Sequence, residues 1–558
     1  MNYYIDGDVE KPQKFEKIYS SIYSGNQQNG AISIEIGKQV QKEINYRTFR
    51  ELGEFYNKSF DKFKIIRDQL DFDIWFLEQF RLYFRYRNFE LKLEAINIFL
   101  KKHPDGIILT NDKKLQWFYP DSSMKLATLK NIEKAEGAKE LIQEFFYVLS
   151  HISFKKIRLQ GSIILSNPSD NIDGKDKRFG ILEDNYSKVL IRNLFKDHEK
   201  SKVIVNEMKS NTDRILASYI ISFRWINHIP IFLQSIKTTA KLFKDKSQLS
   251  SNEKVISQLF WSSKSSFLLY YIRYQSFNLF FKKNNKITGS LLSDENSPQQ
   301  KVIQFAAKRN GVKVYGFQHG TIHDLHPAYM YANYKHKPFL PDITFTWGEY
   351  FTDLLTSKGG YNRNQVSAVG RISQVTDNRR SNKLLETTKK IILYASQPQR
   401  DLALRTRMLE DVLIASEYYK DRYLCVIRPH PAERTDDFFK ETAKKLGCSN
   451  YIIDRYSDLK IHFEKCAILV NSFSTVGSEF VCYKKPMLVL DYLQQDLIGY
   501  IKYKVGISIQ GLESLKAILE SAEISVDPEA HDYFVKQFFF KDDGLAASRV
   551  KEIIEIRK

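Results

Sequence analysis

The sequence predicts an α/β fold with two domains, each built around a parallel β-sheet, and a helix-rich addition near the N-terminus. Three observations lead to this class. From residue 286 onward, short apolar runs alternate with helical stretches, which is typical of a doubly wound parallel sheet. A polar and charged break at residues 374–389 divides this alternation in two. The first hundred residues instead have helical periodicity.

The N-terminal part is expected to be mainly helical. Residues 60–99 mix aromatic and charged side chains at helical spacing, without Gly or Pro. Two short apolar runs that end in polar residues, at 105–112 and 161–168, are typical of buried parallel strands that lead into loops. Residues 200–285 again have a helical, aromatic-rich pattern.

The rest of the chain predicts two Rossmann-like sheets. Right-handed crossovers place the carboxyl ends of parallel strands on one rim, where ligands bind. We place the domain boundary at the polar break, which gives domains of residues 1–375 and 376–558, and the last helix could pack back on the first domain. The predicted strands are 287–292, 312–317, 343–347, 366–369, 390–395, 423–427, 467–470 and 487–490.

The net charge of +19, with a sequence pI near 9.3, favours a polyanionic partner, and a solvated Lys-rich surface is the alternative interpretation. Nucleic acid, anionic lipid and acidic or phosphorylated glycans would all fit. We find no helix-turn-helix, zinc-finger or RNA-recognition signature, so nucleic acid is not expected as a partner.

The lack of a recognisable signal peptide and the pattern of cysteines favour a cytoplasmic protein. The N-terminus lacks the basic and apolar segments of a signal peptide. The longest apolar stretch, residues 215–236, is interrupted by Arg224 and His228. We interpret it as a core helix, with contact to an anionic membrane surface as the alternative, which would make the protein peripheral on the inner face of the cytoplasmic membrane. The four cysteines lack metal-binding spacing and fit buried free thiols in a reducing compartment.

Gln318-His319-Gly320 directly follows a predicted strand. Glycine lets the backbone approach a ligand closely, and histidine can donate to a phosphate. A tight turn with a structural histidine is the alternative interpretation.

Arg428-Pro429-His430-Pro431 follows another strand. The prolines stiffen the loop, so Arg428 and His430 would be held where a diphosphate binds. A rigid surface turn is equally compatible with this motif.

A Ser-rich turn follows the strand at 467–470 and precedes a helix. Its hydroxyl residues Ser472, Ser474 and Thr475 would line an anion site at the helix N-terminus, and Glu479 could accept hydrogen bonds from ribose hydroxyls. Ordinary N-capping by Ser474 or Thr475 would explain the hydroxyls without a ligand.

Two further glycine motifs, Trp347-Gly348 and Val369-Gly370-Arg371, lie at strand ends. Arg371 precedes the polar break and could face an interdomain cleft.

The order of these motifs resembles that in GT-B glycosyltransferases of bacterial capsule and lipopolysaccharide synthesis, over residues 285–510. The resemblance implies two Rossmann-like domains with parallel sheets facing across a cleft. The N-terminal domain would bind the acceptor and the C-terminal domain the nucleotide sugar. The His-Pro pair and the Ser-rich turn are similar to those of transferases that use CMP-linked Kdo or sialic acid. This likeness implies donor-phosphate contacts from His430, Ser472, Ser474 and Thr475, and the resemblance to GT-B enzymes implies ribose binding by Glu479. From the motifs at the strand ends, further candidate donor contacts are Gln318, His319, Gly320, Arg371, Arg428 and Pro431.

The catalytic base has several candidates. It must reach the acceptor hydroxyl from a loop on the cleft rim. Acidic clusters at 170–176 and 293–296 satisfy this requirement and supply Asp173, Asp176, Asp294 and Glu295. His430 is a further catalytic candidate because it would stabilise the leaving group.

Metal and cofactor sites are not expected. Asp6-Gly7-Asp8 matches the Asp-x-Asp pattern that holds Mg²⁺ or Mn²⁺ on a diphosphate. We discount it because it lies at the extreme N-terminus rather than after a predicted strand.

The sequence therefore predicts a metal-independent glycosyltransferase. It would move a sugar from a nucleotide donor, favoured to be CMP-linked, to a growing surface polysaccharide or a lipid-linked glycan. Three alternatives stay open: a CDP-glycerol-type polyol-phosphate transferase, a non-hydrolysing UDP-sugar epimerase, and a non-catalytic protein that binds glycan or membrane.

Overall fold

The computed structural model divides the chain into two compact units. Unit 1 comprises Met1–Phe345, Thr352–Ser367 and Val550–Lys558, and unit 2 comprises Thr346–Phe351 and Ala368–Arg549. The boundary near residue 375 stays a prediction. The structure describes residues 2–6, 17–21, 31–119, 124–126, 162–166, 171–172, 175–176, 219, 224–244, 247–283, 287–292, 297–371 except 319 and 339, 385–397, and 402–556 except 432, 473, 493, 495, 497, 522 and 542.

The first sheet of unit 1 has five strands, all parallel, in the order β3-β2-β1-β4-β5. Three of them lie within the first 33 residues, so a purely helical interpretation of this region is wrong. These strands are too short to show an alternating apolar pattern. From residue 38 onward, the predicted helical periodicity corresponds to long helices. The elements are β1 (Asn2–Asp6), β2 (Lys17–Ser20), β3 (Ile32–Ser33), α1 (Lys38–Lys58), α2 (Phe60–Leu70), α3 (Trp75–Lys102), β4 (Ile107–Thr110) and β5 (Met124–Leu126).

The second sheet of unit 1 has the order β12-β11-β10-β9-β6. Strand β6 runs antiparallel to β9, so the expectation of a parallel strand near residue 165 is wrong, while β9, β10 and β11 are parallel as predicted. The elements are β6 (Ser162–Ser166), β7 (Asn171–Ile172), β8 (Lys175–Asp176), α4 (Ile229–Leu242), α5 (Ser251–Ser262), α6 (Lys264–Lys283), β9 (Ile287–Leu292), α7 (Pro298–Arg309), β10 (Lys313–Phe317), β11 (Ile343–Thr346), α8 (Glu349–Leu354) and β12 (Val366–Ala368).

Aromatic side chains hold the helices of unit 1 together. Trp75 is fully buried on α3, and its ring centroid lies 5.4 Å from those of both Tyr56 on α1 and Phe260 on α5. Such ring pairs add specific contacts to the large apolar area that they bury. Helix α4 differs from the predicted core helix, because Ile231 and Leu233 on it are exposed.

Unit 2 contains one six-stranded sheet in the order β15-β14-β13-β16-β17-β18, with every pairing parallel. Leu409, Ile427 and Val470 belong to a buried apolar cluster that joins helices to the sheet. The elements are β13 (Lys390–Ala395), α9 (Leu402–Tyr418), β14 (Tyr423–Arg428), α10 (Asp437–Leu446), β15 (Tyr451–Ile453), α11 (Leu459–Lys465), β16 (Cys466–Asn471), α12 (Thr475–Val481), β17 (Met487–Leu490), β18 (Ile507–Ile509), α13 (Leu512–Glu520), α14 (Pro528–Phe539) and α15 (Ala546–Ile556).

The predicted α/β class with Rossmann-like parallel sheets is confirmed. Counted in chain order, the strands of unit 2 lie in the order 3-2-1-4-5-6, which is that of the dinucleotide-binding Rossmann fold. All four cysteines are free thiols, and burial raises the pKa of Cys425 and Cys466 to about 12. None of the described helices combines the length and apolarity needed to cross a bilayer.

Candidate nucleotide site

Strands β13 and β16 pair side by side at the centre of the unit 2 sheet. The chain adds β14 and β15 on one side of this pair and β17 and β18 on the other, so the strand order reverses between β13 and β16. In open parallel sheets, ligands bind in the crevice beyond the carboxyl ends of the strands at such a switch point. The loops that follow β13, β14 and β16 therefore define the candidate site. Two of them carry the predicted Arg-Pro-His-Pro and Ser-rich motifs.

Arg428 is the last residue of β14 and fastens a neighbouring loop. Its Nη1 donates to the backbone oxygens of Ser457 at 2.8 Å and Asp454 at 3.3 Å. Burial lowers the pKa of this guanidinium. These bonds commit one end of the side chain to the protein, so its predicted donor contact stays a prediction.

The loop that Arg428 holds is ordered by a buried Asp–His pair. Asp454 accepts from the Ser457 hydroxyl at 2.5 Å and from His462 Nε2 at 3.1 Å. Although burial opposes ionisation, the hydrogen bonds from Ser457 and its neighbours hold the pKa of Asp454 below its ordinary value. Burial, and then the cationic Arg428, lower the pKa of His462. The pair is therefore a carboxylate that accepts from a neutral imidazole.

Glu433 connects the loops after β13 and β14. This buried carboxylate accepts from the His430 backbone N–H at 2.6 Å, the Ser396 hydroxyl at 3.0 Å and Arg405 Nη2 at 2.7 Å. Sequence reasoning missed it. The available signal was its position three residues after His430, from which a glutamate can reach back to a backbone N–H, as it does in a capping box.

The Ser-rich turn uses its hydroxyls within the protein. Ser474 caps α12 by accepting from the Val476 N–H at 3.3 Å, and the Ser472 hydroxyl donates to the Leu490 oxygen at 3.2 Å. Thr475 is the first residue of the helix. N-capping thus describes Ser474 in this structure, and contacts to a donor phosphate stay a prediction for all three hydroxyls.

Gly477 in α12 is required by close packing. A Cβ there would lie 2.4 Å from Asn471 Nδ2 and 2.8 Å from both Met487 Sδ and Tyr500 Cζ. The Tyr500 hydroxyl, which the sequence did not indicate, donates to the Ser474 backbone oxygen at 2.7 Å. A side chain distant in sequence therefore stabilises the turn.

Three predicted motifs meet at Glu479. Its carboxylate pairs with Arg371 Nη2 at 2.7 Å, and the Arg371 guanidinium lies over the Trp347 ring, 5.9 Å from its centroid. All three residues belong to unit 2, and both charged side chains are about one quarter exposed. The geometry suits Glu479 as an acceptor whose charge is balanced by a neighbouring cation.

The remaining predicted donor residues lie in other places. Gln318 is buried in unit 1 and donates through Nε2 to the Gly320 backbone oxygen at 2.9 Å, and Gly320 has a φ of 74°. His319 lies outside the described residues. His430 and Pro431 lie in the unit 2 loop between β14 and α10.

None of the four candidate bases has a side chain among those that the structure describes. Asp173, Asp294 and Glu295 lie outside the described residues, and Asp176 is placed only as backbone in β8. In the described part of the chain, no group of three or more His, Cys, Asp or Glu side chains is arranged to hold a metal ion.

The reason for discounting Asp6-Gly7-Asp8 is wrong, because Asp6 is the last residue of strand β1. Its buried carboxylate accepts from the Thr110 hydroxyl at 2.7 Å and pairs with Lys92 Nζ at 3.1 Å. Asp8 lies outside the described residues.

Comparison with known proteins gives structural neighbours only. No protein-family model and no curated protein matches the chain. An S. aureus MnaA–UDP structure is 18% identical and covers 51% of this chain and 78% of its own, with a TM-score of 0.37. A UDP-GlcNAc 2-epimerase from Neisseria meningitidis bound to UDP-GlcNAc is 14% identical, with coverages of 52% and 81% and a TM-score of 0.36. The wall teichoic acid polymerase TagF is 16% identical, with coverages of 47% and 76% and a TM-score of 0.33. At these scores the likeness carries no argument about function. The functional argument therefore rests on the chain's own geometry.

Proposed function

We propose that this chain is a metal-independent glycosyltransferase whose unit 2 binds the nucleotide of an activated sugar. One observation carries the proposal. The Arg-Pro-His-Pro loop and the Ser-rich turn follow β14 and β16, which flank β13 at the switch point of a six-stranded parallel sheet. In that arrangement, His430 contacts the donor phosphate and stabilises the leaving group.

The donor is a CMP-linked sugar of the 2-keto sugar acid class, and Glu479 binds its ribose hydroxyls. The acceptor is a growing surface polysaccharide or a lipid-linked glycan, bound by residues of the N-terminal domain. One of Asp173, Asp176, Asp294 and Glu295 removes the proton from the attacking hydroxyl. Gln318, His319 and Gly320 complete the donor contacts.

The test is donor hydrolysis and transfer by the purified chain. Incubation with CMP-activated sugars and candidate acceptors should release CMP, and His430→Ala should lower kcat at least about 100-fold, as loss of a preorganised donor does. Lys440→Gln, on the exposed face of α10, is the control and should leave turnover unchanged. Equal turnover by His430→Ala and the unmodified chain would rule out this site.

The same assay separates the alternatives. Conversion of UDP-GlcNAc without any acceptor would establish an epimerase, and transfer from CDP-glycerol would establish a polyol-phosphate transferase. Neither outcome is expected.

A further inference from the structure

Helix α4 and the turn before it expose apolar side chains to solvent. Ile226, Ile231 and Leu233 are 46%, 47% and 56% exposed, and Leu242 at the end of the helix is 38% exposed. Scattered exposed apolar residues are ordinary. Four of them lie within residues 226–242, and such a local concentration of exposed apolar side chains marks an interaction surface.

The opposite face of α4 fixes it firmly to unit 1. Phe232 is buried and stacks on Tyr271 with ring centroids 5.5 Å apart. The hydroxyl of the buried Ser235 donates to Gln69 on α2. Phe243, just after the helix, lies 5.1 Å from Phe63 between ring centroids. The exposed side chains are therefore presented by an anchored helix.

The charge of this segment has one sign. No Asp or Glu occurs between Asp213 and Asp245. Lys237 and Lys241 are exposed and lie four residues apart, so they share one face of the helix, and the exposed Lys244 follows just after its end. The buried Phe232, Ser235 and Thr239 lie on the opposite face, and Ile231 and Leu233 lie on either side of the lysine face.

We propose that this α4 patch, formed by Ile226, Ile231, Leu233, Leu242, Lys237, Lys241 and Lys244, docks the chain on an anionic lipid bilayer. Apolar side chains that enter the headgroup region, together with lysines that meet anionic lipid, are the physical requirements for interfacial binding. The long lysine side chains can extend to the headgroups while the helix lies in the interface. Docking would place the enzyme beside a lipid-linked acceptor, and in this respect the proposal rests on the proposed function.

Charge favours lipid over a second copy of the chain. In a two-fold symmetric dimer, each subunit presents the same surface. Such an interface would bring the three lysines of each subunit together, with no Asp or Glu of this segment to balance them, and like charges across an interface are unfavourable. An anionic bilayer instead complements the entire patch.

Vesicle co-sedimentation of the purified full chain tests the proposal. Binding is measured to vesicles of phosphatidylcholine alone and to vesicles that also contain phosphatidylglycerol, at low and high salt. We expect binding to the anionic vesicles only, weakened by salt. The triple variant Lys237→Gln, Lys241→Gln, Lys244→Gln should bind them about 100-fold more weakly. The double variant Ile231→Ser, Leu233→Ser should also lose at least about 10-fold.

Two matched variants control for total charge and for general apolarity. Lys440→Gln, Lys444→Gln, Lys445→Gln removes the same charge from exposed positions on α10, and Leu402→Ser removes a 59% exposed apolar side chain from α9. Both should bind like the unmodified chain. The proposal would be overturned if the α10 and α4 lysine variants weakened binding equally, or if the chain did not bind anionic vesicles. It would also be overturned if the chain formed a dimer that the double variant Ile231→Ser, Leu233→Ser dissociates. Nucleotide binding is measured separately, so failure of the proposed function leaves the vesicle result interpretable.

Discussion

At the scale of single residues, Glu433 organises the candidate site more than any residue that the sequence indicated. It joins the end of β13, the His430 loop and helix α9 through three hydrogen bonds. Arg405, its ionic partner, also lies over the Phe438 ring, with its guanidinium 3.7 Å from the centroid. The ion pair is largely buried, with side-chain exposures of 17% for Arg405 and 5% for Glu433.

We therefore predict that Glu433→Gln destabilises unit 2 and weakens nucleotide binding. The amide cannot balance Arg405, and removing one partner of a buried ion pair typically costs about 3 kcal/mol of unfolding free energy. Denaturant unfolding measures this change. Glu410→Gln is the matched control, because Glu410 pairs at 3.4 Å with a Lys445 that is 74% exposed. It should change the unfolding free energy by less than about 1 kcal/mol. Equal effects of the two variants would show that Glu433 has no organising role.

Glu479 is the residue on which the proposed ribose recognition depends. It pairs with Arg371 at 2.7 Å, and 27% of its side chain is exposed. A carboxylate accepts strong hydrogen bonds from hydroxyls. Its contribution should consequently depend on whether the ligand carries ribose hydroxyls.

We predict that Glu479→Ala weakens CMP binding at least about 10-fold, the value of one hydrogen bond to a charged group. It should not change binding of 2′,3′-dideoxy-CMP, which lacks those hydroxyls. Titration calorimetry with both ligands measures the difference. A similar loss for the two ligands would mean that Glu479 supports the fold of the turn instead of reading the ribose.

At the scale of elements, the loop after β15 supports the loop after β14. Arg428 reaches across to Asp454 and Ser457, and Asp454 is held by His462 from α11. The pKa of His462 is lowered by burial, so the folded protein takes up its proton only at a pH below the ordinary histidine range. The unfolded chain binds that proton near pH 6.5.

It follows that acid destabilises unit 2 through His462. The stability linked to the neutral imidazole is complete above about pH 6.5 and is lost as the pH falls towards the folded pKa, with a slope of up to about 1.4 kcal/mol per pH unit. His462→Gln, which keeps a donor for Asp454, should remove this part of the slope between pH 6.5 and 5. Thermal unfolding at several pH values measures it. An identical slope in the variant would place the acid sensitivity elsewhere.

The sequence predicted some elements closely and missed others for physical reasons. Strands β13 and β17 were predicted with their observed bounds, and β14 and β16 with bounds within one residue, because fully buried parallel strands are continuous apolar runs. Strands β1 to β3 were missed because each has at most five residues and because polar residues such as lysine, serine and asparagine interrupt their apolar pattern. Tyr500 was missed because its role depends on a contact between distant segments, which no local pattern encodes. The bonds from Ser396 and Arg405 to Glu433 are also long-range, and only its bond to the His430 N–H had a local signal.

At the scale of the whole molecule, the charge of +19 and the two proposals agree. A basic protein attracts both a nucleotide phosphate and an anionic surface. These attractions are separable here, because His430, the Ser-rich turn and Glu479 belong to unit 2 and the α4 patch belongs to unit 1. High salt should therefore weaken vesicle binding while the hydrogen-bonded contacts of a nucleotide persist.

The central claim is that the carboxyl edge of the unit 2 sheet binds a nucleotide, and thermal unfolding with CMP, CDP, UDP and GDP tests it most directly. At 100 times its Kd, a ligand stabilises the protein that binds it by about 2.7 kcal/mol. We predict that CMP raises the Tm of the unmodified chain, that the other nucleotides do so less, and that His430→Ala abolishes the increase. No increase with any nucleotide, or an increase that His430→Ala leaves intact, would contradict the account.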